Sequence, residues 1–284
     1  MPEAIDAPTH ETAEPGVRST DATAIGALLQ YWRKTKNLSQ LALAMEADVS
    51  PRHISFLETG RAKPSRDMVV LLATVLGVPL RERNHLLLAA GFAPLYREAP
   101  LDAPELEPIR AALDAILRQQ EPFPAVVMNR HWDILQMNAA GGRFFGMLLG
   151  DRAGRPAPNV LRLMFDPKEL RPHVLNWNTV AEKLLQRLHR EATGGVKDAT
   201  TLALLAEILD YPDVPAQLRR PNMAVPLVPV ASICFRHERT VYDFFSTVTT
   251  LGTPQDVTLE ELRIECFFPA NPATEQQARA LLGG

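Results

Sequence analysis

Between positions 50 and 66 the chain gathers Ser50, Arg52, His53, Ser55, Phe56, Arg61, Lys63 and Arg66. These side-chain types suit contact with a nucleic acid. A guanidinium such as that of Arg52 can make two hydrogen bonds to one guanine, Ser55 and His53 are adaptable hydrogen-bonding groups, and Phe56 can meet a thymine methyl. Phe56 can equally well pack against a neighbouring domain. Arg61, Lys63 and Arg66 suit phosphate oxygens, which set register and affinity more than sequence preference. Bond-making chemistry has no comparable signal. The sequence holds no nucleophile elbow, phosphate loop or zinc-binding helix pattern, and its seven histidines show no paired spacing. Gly141-Gly142 and Gly194-Gly195 lack the surroundings of a nucleotide fingerprint. Neither an enzyme nor a cofactor is expected.

The nucleic-acid reading needs a helix that turns those residues outward, and LSQLALAMEADVSPRHISFLETGRAKP, from Leu38 to Pro64, supplies one. Ser39 is a good N-cap for the helix formers Leu41 to Met45. Asp48, Val49 and Ser50 make a turn, with Val49 tucked between helices and Ser50 capping a second helix that opens on Pro51. Ile54 and Leu57 lie three apart on one buried face, which leaves Arg52, Ser55 and Phe56 on the other. Gly60 sits where a left-handed C-terminal residue is wanted, and Pro64 stops continuation. The same spacing would also serve an αα-hairpin with no DNA function.

The stretch resembles the xenobiotic-response-element class of phage-repressor-like domains, with pattern L-S-Q-x-x-L-A-x-x-x-G-V-S-x-x-x-I-S-x-x-E-x-G. Leu38, Ser39, Gln40, Leu43, Ala44, Val49, Ser50, Ile54, Ser55, Glu58 and Gly60 match it. The resemblance implies that Gln40 contacts phosphate and braces the recognition helix. Asp48 stands where the class prefers Gly, so an intact but somewhat strained left-handed turn is expected. One such domain reads a half-site, so a homodimer on a palindromic double-stranded operator is expected.

Charge distribution agrees. The net charge is only −3, but residues 1–23 carry −4, residues 24–97 carry +5 and residues 98–284 carry −4. The positive share lies with the helix-turn-helix, as phosphate attraction requires. The longest apolar run, Met68 to Leu80, is too short for a bilayer, no export signal is visible, and Cys234 and Cys266 form no metal or redox spacing. A cytoplasmic protein without membrane contact is expected.

Residues 1–22 read as a disordered tail. The expected DNA-binding domain, 23–97, is an all-α bundle of five helices. Its first helix carries Ile25, Leu28, Leu29 and Trp32 as a stripe, and its terminal cations Arg33, Lys34 and Lys36 suit either DNA or the helix dipole. Its last helix is expected to turn Leu86, Leu87 and Leu88 inward. Residues 98–108, rich in proline and acid, read as a linker. An amphipathic helix over 109–119 could join the domains or pair with its copy in a dimer.

From Phe123 the period becomes that of strands. Ala125–Met128 and Trp132–Met137 flank a polar turn, and Asn138 caps a helix. A loop with a short apolar insert, Val160 to Phe165, precedes helices over 174–190 and 199–209. Strands then follow at 227–235, 240–250 and 262–268. The last alternates cleanly, with Leu262, Ile264, Cys266 and Phe268 on one face and Arg263, Glu265 and Phe267 on the other. The expectation for 109–284 is an α+β, PAS-like domain with a five-stranded antiparallel sheet.

The run VSPRHISFLETGRAKPSRDMVVLLATVLGVPLRERNHLLLAAGFAP, the hairpin FPAVVMNRHWDILQMNAA, the segment RPHVLNW and the ending STVTTLGTPQDVTLEELRIECFFPA together resemble MmyB-like transcriptional regulators. The resemblance implies a DNA-binding domain joined to a PAS-like sensor with a long apolar pocket for a small ligand such as a fatty acid. Arg171, His173 and Asn176, beside Trp177, could hold its carboxylate, and Asn138 is a second candidate. Alternatively Asn138 and Asn176 cap helices, Arg171 pairs with a surface acid and Trp177 fills core. Met128, Met137, Phe144, Phe165 and Phe244 are candidate pocket walls. A third reading leaves 109–284 as a dimerisation scaffold without ligand.

Overall fold

The computed structural model describes residues 22–150, 158–212, 214–220 and 230–282. The expected tail before residue 22, positions 151–157 of the expected loop and the first positions of the expected third strand, 227–229, lie outside the described residues. Two compact units are present: Met1–Val78 with Arg83–Leu95, and Pro79–Glu82 with Tyr96–Gly284.

The first unit is helical. It contains α1 (Ala22–Thr35), α2 (Gln40–Glu46), α3 (Pro51–Glu58), α4 (Arg66–Val75) and most of α5 (Leu80–Ala89). Three helices start on a serine whose side chain accepts a backbone N–H: Ser39 from Ala42 (3.0 Å), Ser50 from His53 (3.1 Å) and Ser65 from Met68 (3.2 Å). Such caps satisfy N–H groups that the helix itself leaves open. Ile25, Leu29, Leu43, Ile54, Leu57, Leu72 and Leu76 are almost wholly buried together, each contributing roughly 1.5–3 kcal/mol relative to exposure. Asp48 takes φ +51° and the turn is intact, as expected; Gly60 takes φ +71°.

Two features depart from the sequence expectation. Leu86 and Leu87 are buried, but Leu88 is 53% exposed, because three consecutive helical residues sweep about 200° and cannot share one side. Arg33 serves neither DNA nor the helix dipole, for it is buried and paired with Glu58.

The second unit holds α6 (Glu107–Gln119), β1 (Ala125–Met128), β2 (Ile134–Met137), α7 (Ala139–Leu149), α8 (Val160–Phe165), α9 (Trp177–Thr193), α10 (Ala199–Asp210), β3 (Val230–His237), β4 (Thr240–Thr249), α11 (Val257–Glu261), β5 (Arg263–Pro269) and α12 (Pro272–Leu282). The strands form one antiparallel sheet in the order β2-β1-β5-β4-β3. One sheet face packs Ala125, Val127, Ile264 and Cys266 against Leu113 and Leu117 of α6. Leu113 and Leu117 of that helix are thus spent on its own sheet, while Ile109 and Ile116 of the same stripe are partly buried. The other face packs Met128, Ile233, Phe235, Tyr242, Phe244 and Phe267 against side chains of α7 to α10.

The expected linker is part of this unit. Ala99 and Leu106 are buried with the α6 face, Pro104–Leu106 form a 3-10 turn, and Ala99 N–H donates to Asp256 (3.1 Å). The second strand starts two residues later than expected. Trp132 lies in the preceding turn at φ +69°, buried, where Asn129 accepts N–H bonds from His131 and Asp133 (2.9 Å each). An Asn side chain organising such a turn lets even a large residue adopt the left-handed conformation.

Candidate functional site

In the first unit, the candidate surface is the outer side of α3 and the chain that follows it. Arg52 is exposed, and its guanidinium lies over the Phe56 ring at 5.1 Å, one helical turn away; Arg61 lies over the same ring at 6.0 Å. Cation and π-face attract, so the ring helps to position both guanidinium groups on this surface. Ser50, Lys63 and Arg66 are exposed, and His53, Ser55 and Phe56 are half-buried. Arg66 opens α4, and the Arg61 N–H returns to the Phe56 carbonyl (2.8 Å), which fixes the basic loop against the end of α3.

Behind α3 lies a network of which only the bracing role of Gln40 was expected from the sequence. Arg33 Nε and Nη2 donate to the Glu58 carboxylate at 2.6 and 2.8 Å, Arg33 Nη1 donates to the Leu38 carbonyl (2.8 Å), and Gln40 Nε2 donates to Glu58 (2.8 Å). Gln40 thus braces the end of α3 through a side-chain bond. Burial pushes the Glu58 carboxyl up, but Arg33, Gln40 and Gln30 outweigh it and hold it below the usual carboxylate range. Gly26 completes the contact. A Cβ there would stand 2.6 Å from the Glu58 carbonyl oxygen and 2.7 Å from that of Leu57, so α1 approaches the end of α3 as closely as only glycine allows.

In the second unit the candidate site is a cavity of about 280 Å³ between the sheet and α7, α8 and α9. Its walls include Val126, Met137, Phe145, Leu163, Leu184 and Phe235, and its polar lining residues are Lys183, Ser246 and Glu265. The size lies near the lower end of small-molecule pockets, and a mostly apolar lining with few polar groups is their usual form. The Glu265 carboxyl is pushed up by burial, with the Ser246 hydroxyl and the charge of Arg187 opposing less strongly. Glu265 is half-buried and lines the cavity.

None of the five expected ligand-binding residues lines this cavity. Asn138 is buried as the α7 cap, accepting N–H bonds from Gly141 (2.8 Å) and Ala125 (3.0 Å) and donating to the Phe123 carbonyl (2.8 Å). Asn176 spans to β3, donating to the Ser232 carbonyl (3.1 Å) and accepting from Cys234 N–H (3.0 Å). Arg171 lies 4.2 Å above the Trp177 ring and donates to the Pro212 carbonyl (2.7 Å), while His173 Nδ1 contacts the Arg236 carbonyl (3.1 Å). Trp177 packs on Phe165 and donates to the Met164 carbonyl (2.9 Å). These groups stitch distant segments together, their polar atoms spent on backbone groups that tertiary packing brings beside them. Of the wall candidates Met137 lines the cavity; Met128, Phe144, Phe165 and Phe244 are solid core.

A family model for helix-turn-helix domains matches residues 29–83, and one described as the MmyB-like transcription regulator ligand binding domain matches residues 109–281. A helical domain of the first kind followed by a sensor of the second defines a DNA-binding transcription regulator. The chain belongs to the MmyB-like transcription regulators. It is also similar, over 68 residues at 35% identity, to Multiprotein-bridging factor 1 of Candida albicans; the match covers 24% of this chain and 44% of that protein, under half its length. Two crystal structures of the clp gene regulator ClgR of Corynebacterium glutamicum are 30% and 25% identical over 25% and 36% of this chain. They are covered to 87% and 94% of their own length, each with a TM-score of 0.22. No helix among the described residues is long and apolar enough to cross a membrane.

Proposed function

We propose that the chain is a cytoplasmic, non-enzymatic regulator that reads a palindromic operator as a homodimer and responds to a small apolar ligand, with a fatty acid as the leading candidate. The observation that carries this reading is the outer face of α3, where an exposed Arg52 lies over the Phe56 ring while Ile54, Leu57 and the Arg33–Glu58 pair anchor the helix from behind. In this reading Arg52, His53, Ser55 and Phe56 meet base edges, and Gln40, Ser50, Arg61, Lys63 and Arg66 meet the phosphates. The ligand half of the proposal is supported by a mostly apolar cavity rather than a filled core.

Selection from random duplexes with the full chain, followed by native mass spectrometry of the protein and of its organic extract, tests both halves. A two-fold symmetric consensus, a dimeric mass and a co-purifying amphiphile are the expected results. Recovery of no sequence preference at low salt overturns the first half. Lipid-free protein that takes up no medium-chain amphiphile overturns the second and leaves 109–284 a scaffold.

A further inference from the structure

Among the residues on the cavity side of the sheet, Glu265 is out of character. Its partners in register are Val126 on β1 and Val248 on β4, and Phe267 follows it on the same face. A valine there would complete an apolar wall. A carboxyl has to give up its hydration instead, and it is tolerated only when its hydrogen-bonding capacity is used. Ser246, itself buried, lines the same cavity from the neighbouring strand, and its hydroxyl and the charge of Arg187 are the polar influences on Glu265.

The rest of this polar end is already committed. Arg187 and Arg263 lie over the Trp132 ring at 4.6 and 5.4 Å, and Glu191 accepts from Trp132 Nε1 (2.9 Å), Arg187 Nε (3.2 Å) and Arg263 Nη2 (2.7 Å). Even so, Arg263, two residues before Glu265 on the same face, keeps a buried Nη1 without a hydrogen-bond partner among the described residues. Arg263 is outside the cavity lining, so the polar groups that face the cavity from the sheet are Ser246 and Glu265.

We infer that Glu265 and Ser246 form a hydrogen-bonding site inside the cavity for an uncharged oxygen, a hydroxyl or carbonyl, carried by an otherwise apolar ligand. The inference rests on the ligand reading above and narrows its chemical class to oxygenated apolar molecules. A neutral carboxyl both donates and accepts, as does a serine hydroxyl, so the pair can meet a hydroxyl from either side. A ligand carboxylate is the wrong partner here, since two carboxylates in one dry site cannot both stay ionised. Where the ligand has a carboxylate, Lys183 is the cation in the lining. Burial raising the Glu265 carboxyl toward its neutral form agrees with this role.

The test is calorimetry on the full, delipidated chain with probes sharing one tail: decanoic acid, 1-decanol, and the 2-, 3- and 10-hydroxydecanoic acids. At least one oxygenated probe is expected to bind roughly tenfold or more tighter than decanoic acid, the equivalent of one well-made hydrogen bond. That advantage should vanish in Glu265→Leu, shrink in Ser246→Ala and largely survive in Glu265→Gln, which still donates and accepts. If decanoic acid binds as tightly as every oxygenated probe, or if the advantage persists in folded Glu265→Leu and Ser246→Ala, the oxygen site is overturned while the apolar-ligand reading stands. Should no probe bind at all, both fall.

Discussion

The two candidate sites are built in opposite ways. The face of α3 and its basic loop come from one continuous stretch, residues 40–66, whose geometry is set by serine caps, one left-handed turn and a three-residue spacing. The cavity draws its lining from Val126 on β1 to Phe267 on β5, with contributions from three helices between them. Each site also contains a glutamate, Glu58 buried and Glu265 half-buried, and the two are held in contrary states. Glu58 meets Arg33 and Gln40 and is held ionised, as befits a brace. Glu265 meets a hydroxyl and an apolar wall and is pushed toward neutrality. A strut is satisfied within the protein; a binding group is not.

Removing the strut gives the largest expected effect. Arg33→Ala leaves Glu58 buried and unpaired, which should cost about 3–5 kcal/mol; urea unfolding of the full chain should lose its first-unit transition while the second unit unfolds at the wild-type midpoint. Equal loss in both units would blur the contrast. Arg52→Ala should leave stability unchanged and weaken operator binding by about 1–3 kcal/mol while relaxing one base position, whereas Lys63→Ala should weaken all sequences alike and lower the salt slope by about one. Unaltered base discrimination in Arg52→Ala would remove it from the reading face.

The two carboxylates should then separate by pH. Glu58, held low, stabilises the fold above the ordinary carboxylate range, and that contribution is lost as pH falls through its depressed value. Glu265, held high, behaves in reverse: its contribution is present in acid and is lost as pH rises from the ordinary range through its raised value. Glu58→Gln should therefore flatten the acid limb of a thermal-melting profile. Glu265→Gln should melt above wild type near pH 8 and with it near pH 4. Matching profiles for the two variants would refute the opposite assignments.

The smallest effect is expected at Arg171→Ala. Losing its stack on Trp177 should cost roughly 0.5–1 kcal/mol and leave the calorimetric ranking of the decanoic probes unaltered. A changed ranking would return Arg171 to the site and the cavity boundary would have to be redrawn.

Residue types and spacing alone made the helix-turn-helix legible, because caps, turn and buried face all act within a few positions of one another. The five strands of the antiparallel sheet were legible too, β5 from its alternation and the others from strand-like runs, although β1 is buried at all four positions and does not alternate. Arg33 was misread because its partner is twenty-five positions away, beyond any helical period, and Gly26 carries no local sign that another backbone lies against it. Arg263 and Glu265 were legible as one face of β5 but not as its cavity face. Charge in an alternating strand ordinarily marks the side toward water, and Phe267 between the same neighbours was the one local hint. Both faces of that strand are covered, one by α6 and the other by α7 to α9, and only that packing decides which of its side chains meet a cavity. Chain order fixes the alternation of side chains; only long-range packing determines which of them lose their water, and that loss gives a buried acid its chemistry.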